Sequence, residues 1–371
     1  MKKLYFLVNW KNNKRTRWSG TCWGLYTALK RYFDVIDIPL KEHTPSILIR
    51  IMRKFHILSD DMDIRTHCLQ RSDVCRVIRE QQGVPIFQFA EVYDSDLHPT
   101  YIYQDLNVSY LLDLAERDPE RFQFSSFAHY SIKAIQRRKK NQNDYYQNAK
   151  GIFVMARWLK EYMIDKCCIP ASKVHHVGGA INVDPQKIDY SRKAKNKILF
   201  VGHDYERKGG PLVLKAFCEL LKRMPSAELY IIGPPTNPNI HNFPNIYYIH
   251  SVTYDQLVDY YNKCDILCQP SYFEAYGFSF IEALTFGLPC IGRNCYEMPY
   301  HIQEGQTGFL IDNDDICVLA NKMYSLLHAD HIHACVQANR EYYIKQYAWE
   351  AVAKRIATVI DTDTSNIKNN Q

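Results

Sequence analysis

The 371-residue sequence contains no run of about 18 apolar residues, so it offers no helix able to cross a membrane. Its twelve cysteines include no Cys-x-x-Cys pair, which argues against a structural zinc site. There is no Gly-x-Ser-x-Gly and no Gly-x4-Gly-Lys-Ser/Thr. Serine-hydrolase and P-loop chemistry therefore lack their signatures. No internal repeat with a period of roughly 20–50 residues is found, which excludes solenoids and propellers. Aromatic residues do not interleave with the basic runs in the manner of a nucleic-acid module, and no nucleic-acid partner is expected.

What is present suffices for two hydrophobic cores. The length exceeds one ordinary domain, 46% of residues are hydrophobic and 23% are charged. After Met-Lys-Lys, the apolar run from Leu4 to Val8 is too short for a secretory leader and reads as a first strand, so the protein is expected to stay in the cytoplasm. Cys264, Cys268 and Cys290 lie in apolar runs and read as small core residues kept reduced. The net charge is +6, with basic runs at 11–17 and 137–140. These fit either solvated helix faces or attachment to the inner face of the cell membrane, and both readings stay open.

Residues 269–292 organise the chain. An apolar run at 265–268 leads in as a buried parallel strand, Pro270 and Ser271 stop it, and Gly277 opens a helix carrying Phe278, Ile281, Glu282 and Leu284. Gly287 stands where a helix end favours a left-handed residue, and Pro289 prevents continuation. A further strand starts at 288–292. Glu274 thus falls on a loop at a strand's carboxyl end, where open parallel sheets bind ligands. The Gly277 and Phe278 amides fall at a helix N-terminus, which favours anions. Two carboxylates flanking free amides suit a sugar joined to a phosphate.

The same pattern recurs along the chain. Strands are read at 3–9, 34–39, 85–93, 100–105 and 149–155, then at 198–202, 228–232 and 246–250, with helical sequence between them. Alternation of this kind predicts α/β domains with mainly parallel sheets. Gly20 and Gly24 follow the first strand and allow close approach of backbone to a ligand. Asp105 ends the fourth strand and reads either as a site residue or as the N-cap of a helix at 106–114. Residues 122–148 read as one helix, including His129, and 361–371 as a frayed tail. His175 and His176 are neighbours on a strand and point to opposite faces, so they suit one metal ion poorly. His331, His333 and Cys335 read as a solvated helix. After the strand at 198–202 come His203, Arg207, Lys208, Gly209 and Gly210, then a helix with Pro211 in its first turn. Two cations there would neutralise a pyrophosphate.

Pro-Ser-x-x-Glu-Ala-Tyr-Gly, the Glu-x7-Glu spacing of Glu274 and Glu282, and Gly-Leu-Pro resemble the donor-site signature of retaining glycosyltransferases of the GT-B fold, family 4 type (glycosyl transferases group 1). Gly202 to Gly209 resembles the Val-Gly-Arg-x4-Lys-Gly element of that family, with His203 in place of the arginine and Arg207 beside the motif lysine Lys208. Residues 304–311 resemble its Glu-x-Gly-x-Thr-Gly-Phe-Leu turn. The resemblance implies two Rossmann-like domains facing a cleft, an acceptor domain at 1–183 and a donor domain at 184–345. A terminal helix with its tail, 346–371, would cross back to the first domain. It implies that Glu274 faces the transferred sugar, with Asp105 and Lys208 also catalytic. Glu282 would hold the nucleotide ribose, and Arg207, Lys208, Gly277, Phe278, Gly20 and His203 the rest of the donor. The activity implied is transfer of a hexose from a UDP- or GDP-sugar to a glycan or lipid-linked acceptor, in cell-surface polysaccharide, lipopolysaccharide or glycolipid synthesis. No cofactor and no metal are expected.

Competing readings are a sugar-nucleotide epimerase, a synthase or phosphorylase acting on a small sugar, and a silent nucleotide- or glycan-binding module. Asp61 and Asp63, and Asp94 and Asp96, form Asp-x-Asp pairs of the kind that hold a metal in other glycosyltransferases. They lack the surrounding context of that fold.

Overall fold

The structure, a computed structural model, describes residues 1–10, 14–15, 17–42, 64–78, 82–191, 195–237 and 245–369, with side chains to residue 363. Asp61, Asp63 and most of the 11–17 basic run lie outside the described residues. The chain forms two compact units, Met1–Gly179 with Trp349–Gln371, and Ala180–Ala348.

The first unit holds six strands: β1 (Lys2–Val8), β2 (Phe33–Pro39), β3 (Ile86–Phe89), β4 (Thr100–Gln104), β5 (Gly151–Val154) and β6 (Val174–His176). They pair in the order β2-β1-β3-β4-β5-β6, all parallel. Parallel strands are covered on both faces and carry near-continuous apolar sequence. Accordingly Leu4, Phe6, Leu7, Phe87, Ile102 and Phe153 are fully buried. Phe6 stacks on Phe87 at 5.4 Å, and Tyr101 on Phe153 at 5.6 Å, across neighbouring strands.

The Trp349–Asn369 helix belongs to this first unit, as the terminal-helix resemblance implied. Gly24 explains its seat. A Cβ there would lie 2.3 Å from the Trp349 indole, so Gly24 accommodates that ring rather than a ligand. The expected frayed tail is corrected: the helix runs on to Asn369, tied by Lys2 to Asp361 at 2.6 Å and by the Tyr101 hydroxyl to Asp363 at 3.0 Å.

Two further readings are corrected in this unit. The expected helix at 122–148 is two pieces, Pro119–Gln123 and Ile132–Asn148, with His129 in the turn between them. The Ser131 side chain accepts from the Ala134 amide and nucleates the second piece afresh. Within it, Arg138 turns inward to pair with Glu91, so the 137–140 run is not one uniform basic surface. The N-cap after β4 is Asn107, whose side chain accepts from the Tyr110 amide, and not Asp105.

The second unit repeats the plan with β7 (Lys197–Val201), β8 (Glu228–Ile232), β9 (Ile246–Ile249), β10 (Ile266–Cys268), β11 (Cys290–Arg293) and β12 (Gly308–Ile311). The order is β12-β11-β10-β7-β8-β9, again parallel throughout. From β7 the chain winds outward through β8 to β9. From β10 it winds the other way through β11 to β12. The β7–β10 boundary is therefore the switch point, where loops leave in opposite directions and open a crevice at the strands' carboxyl ends. Among the described residues, no helix is long and apolar enough to cross a membrane.

Candidate functional site

Two loops meet at the β7–β10 switch point. The first leaves β7 at Gly202 and ends at Gly209, the left-handed N-cap (φ 78°) of the Gly210–Leu221 helix. Gly202 has no Cβ to strike the Lys208 stem, which would lie 2.3 Å from it. A Cβ on Gly209 would come within 2.6 Å of the Pro270 carbonyl oxygen, so only glycine fits where the loops touch.

The second loop follows β10 and carries Glu274, and four contacts fix its backbone. Arg207 Nη1 donates to the Phe273 carbonyl at 2.6 Å, and the Tyr272 amide donates to the Arg207 carbonyl at 2.9 Å. Arg293 Nη2 reaches the Pro270 carbonyl at 3.4 Å, and His301 Nε2 pairs with the Tyr276 carbonyl at 2.9 Å. Asp314 braces the outside, accepting from Arg293 at 2.6 Å and from the Tyr272 hydroxyl at 3.0 Å.

This bracing sets the charges. Lys208 Nζ lies 3.3 Å from Glu274 Oε2, and Arg207 Nη1 lies 3.8 Å from the same oxygen. The Ser271 hydroxyl donates to it at 3.3 Å. Burial alone would raise the Glu274 carboxyl, but the Lys208 and Arg207 charges overcome that and hold it below the usual carboxylate value. Burial lowers the Lys208 ammonium, against the opposing pull of Glu274. Arg207 is held in turn by Asp204, with Nε to Oδ2 at 3.0 Å.

Gly277 (φ 89°) is the left-handed N-cap of the Phe278–Thr285 helix. Among the described residues, no hydrogen bond uses the Gly277 or Phe278 amide. Donors at a helix N-terminus beside a lysine and an arginine form a ready anion site. One turn further, Glu282 is 4% exposed and accepts from the Asn182 amide at 3.2 Å and the Tyr261 hydroxyl at 3.0 Å. Burial raises its carboxyl to about 7, while these donors and the Lys208 charge pull it back.

The structure therefore gathers Arg207, Lys208, Glu274, Gly277, Phe278 and Glu282 in the second unit. His203 is exposed, with Nδ1 3.2 Å from the Gly233 carbonyl. With Pro211, Pro234, Pro235 and Thr236 it lines a neighbouring cavity of about 570 Å³. Gly20 and Asp105 belong to the first unit. Gly20 (φ 87°) is the N-cap of the Thr21–Leu29 helix, and Asp105 follows β4. Asp94 pairs with Arg71 at 2.8 Å and accepts from Asn148 at 2.9 Å, so its carboxylate has protein partners. Sequence reasoning missed Gln269, Tyr261, Asn182, Arg293 and His301. Gln269 opens the motif stretch, but nothing in the sequence alone shows where its side chain goes.

Residues 185–342 match the model of the family described as Glycosyl transferases group 1. The matched residues lie within the second unit. The D-inositol 3-phosphate glycosyltransferase of Corynebacterium efficiens is 25% identical over 182 residues, covering 45% of this chain and 43% of the relative. The chain thus matches less than half the length of that curated relative. Sucrose-phosphate synthase from Thermosynechococcus elongatus superposes with a TM-score of 0.68 at 14% identity, over 99% of this chain and 100% of that one. Anabaena Alr3699/HepE in complex with UDP-glucose gives 0.65 at 12% identity, over 98% and 100%. At such identities the likeness speaks for the fold, which is GT-B. The region matched by the family model contains Lys208, Glu274 and Glu282.

Proposed function

We propose that this chain is a retaining, metal-independent glycosyltransferase that moves a hexose from a UDP- or GDP-linked donor to a glycan or lipid-linked acceptor. The observation that carries the reading is the convergence of Lys208 and Arg207 on Glu274, beside the amide-bearing start of the Phe278–Thr285 helix. A nucleoside diphosphate leaving group gains negative charge as the bond to the sugar breaks, and fixed cations and amides stabilise that charge best in a dry site. In this reading Glu282 accepts from ribose hydroxyls and Glu274 from the hydroxyls of the sugar.

In the proposed reaction an acceptor oxygen bonds to the anomeric carbon on the face the diphosphate leaves. The anomeric carbon–phosphate oxygen bond breaks, and the acceptor proton passes to the departing phosphate oxygen. Lys208 and Arg207 take the divalent ion's usual role of charge neutraliser. The similarity to an enzyme named for glycosyl transfer, and to a protein of the same fold solved in complex with UDP-glucose, supports the donor class. Residual basic charge on the Ile132–Asn148 helix, at Lys133, Arg137 and Lys140, supports a peripheral membrane location facing anionic lipid.

The test is titration calorimetry with UDP- and GDP-sugars in EDTA. Binding of one nucleotide class is expected, unchanged in Asp94→Ala and weakened at least about tenfold in Lys208→Ala. Binding that needs a restored divalent ion would overturn the metal-independent site.

A further inference from the structure

Gln269 is the first residue after β10, and its side chain is fully buried. Its amide donates to the Ile291 carbonyl at 2.9 Å, which fixes the backbone in the sheet. A buried carboxamide must place two donors and an acceptor, and its orientation follows from its neighbours. With the oxygen turned towards Lys208, Gln269 accepts from Nζ at 3.1 Å, and its nitrogen donates to the Ser279 hydroxyl at 3.0 Å and to the Val201 carbonyl. The opposite orientation keeps a bond from the Ser279 hydroxyl at 3.0 Å and 3.4 Å contacts to Ser271 and Glu274, but sets its oxygen against the Val201 carbonyl and its nitrogen against the Lys208 ammonium.

We propose that Gln269 is a positioning residue that aims Lys208 at the donor diphosphate. The inference rests on the functional reading above and adds the residue that makes its lysine effective. Lys208 sits on a flexible four-carbon stem, and an ammonium at the end of such a stem is a point charge with no orientation of its own. Glu274 alone would draw it onto the carboxylate. Two acceptors on the protein side, Glu274 Oε2 at 3.3 Å and the Gln269 oxygen at 3.1 Å, hold two of its three protons and leave the third for the ligand. The same carboxamide joins the last residue of β7 to the first turn of the Phe278–Thr285 helix. Lysine and helix amides therefore keep a common register. Gln269 touches no substrate in this scheme and acts through Lys208.

A double-mutant cycle tests this, using Gln269→Met, Lys208→Met and the pair, in the full chain. UDP and GDP affinity is read by calorimetry and stability by urea denaturation. Gln269→Met is expected to weaken nucleotide binding about tenfold in the wild-type background and less than about twofold with Lys208→Met. The urea midpoints are expected to be non-additive. Gln269→Glu keeps an acceptor for Lys208 but cannot donate to the Val201 carbonyl, and is expected to stay within about threefold of wild-type affinity. Equal losses in both backgrounds with additive midpoints, or a Gln269→Glu loss as large as that of Gln269→Met, would overturn the assignment in favour of a purely structural tie. If the wild-type protein binds neither nucleotide, the functional reading fails, and the stability cycle alone decides whether Gln269 and Lys208 are coupled.

Discussion

Lys208 and Glu274 lie 66 positions apart in the sequence, on loops leaving adjacent strands in opposite directions, with 3.3 Å between Nζ and Oε2. The pair is nearly dry, at 15% and 11% side-chain exposure. Its Coulomb attraction is therefore poorly screened, and each partner depends on the other to remain charged.

Removing one partner should cost more than removing both charges. Lys208→Met strands a buried carboxylate and is expected to destabilise the protein by about 3 kcal/mol, whereas Lys208→Met with Glu274→Gln recovers most of that loss. Urea denaturation of the two variants checks the difference. On the proposed reading neither is expected to transfer sugar, because both lack the lysine assigned to the diphosphate.

Glu282 should give the protein a stability slope between pH 5 and 8. Burial raises its carboxyl in the folded state to about 7, from an ordinary value of 4.5. Between those values the folded state holds a proton that the unfolded state has released. The sign is therefore that of a raised acid: its contribution is full below about 4.5, declines as pH rises through 7, and is lost above. The size is about 3 to 4 kcal/mol at most, since one pKa unit is worth about 1.4 kcal/mol. Glu282→Gln removes the titration, so wild type should lose stability relative to that variant on going from pH 5 to 8. Parallel pH profiles for the two proteins would refute the burial argument.

Gly209→Ala should damage the fold locally. It combines a left-handed backbone (φ 78°) with a Cβ 2.6 Å from the Pro270 oxygen, a backbone atom that no rotamer change can move. A loss of at least about 2 kcal/mol is expected, with weaker nucleotide binding, because the Lys208 and Glu274 loops would be forced apart. Thermal melting with and without nucleotide measures both effects.

Much of the second unit could be read from the sequence because its signals are local. Gly287 has the left-handed backbone expected of it (φ 81°), Gly277 opens a helix as read, and Pro211 lies in a helix's first turn. The strand read at 228–232 is Glu228–Ile232. Errors arose where two local signals competed. Asp105 and Asn107 are both good caps, and the sequence offers no means of telling which side chain reaches an amide. Gly24 reads as a ligand-facing glycine until Trp349, more than 300 residues later in the chain, fills the space above it.

By itself the sequence determined the alternation of strands and helices and the identity of the charged groups, since periodicity, glycine and proline act over a few residues. Only the tertiary structure decided which groups share a microenvironment. It joined Gln269 to Lys208 and buried Glu282 beneath Tyr261, because a carboxyl's affinity for its proton and a lysine's direction depend on neighbours brought in from distant parts of the chain. Burial and hydrogen-bond satisfaction belong to the folded whole, and no sequence window contains them.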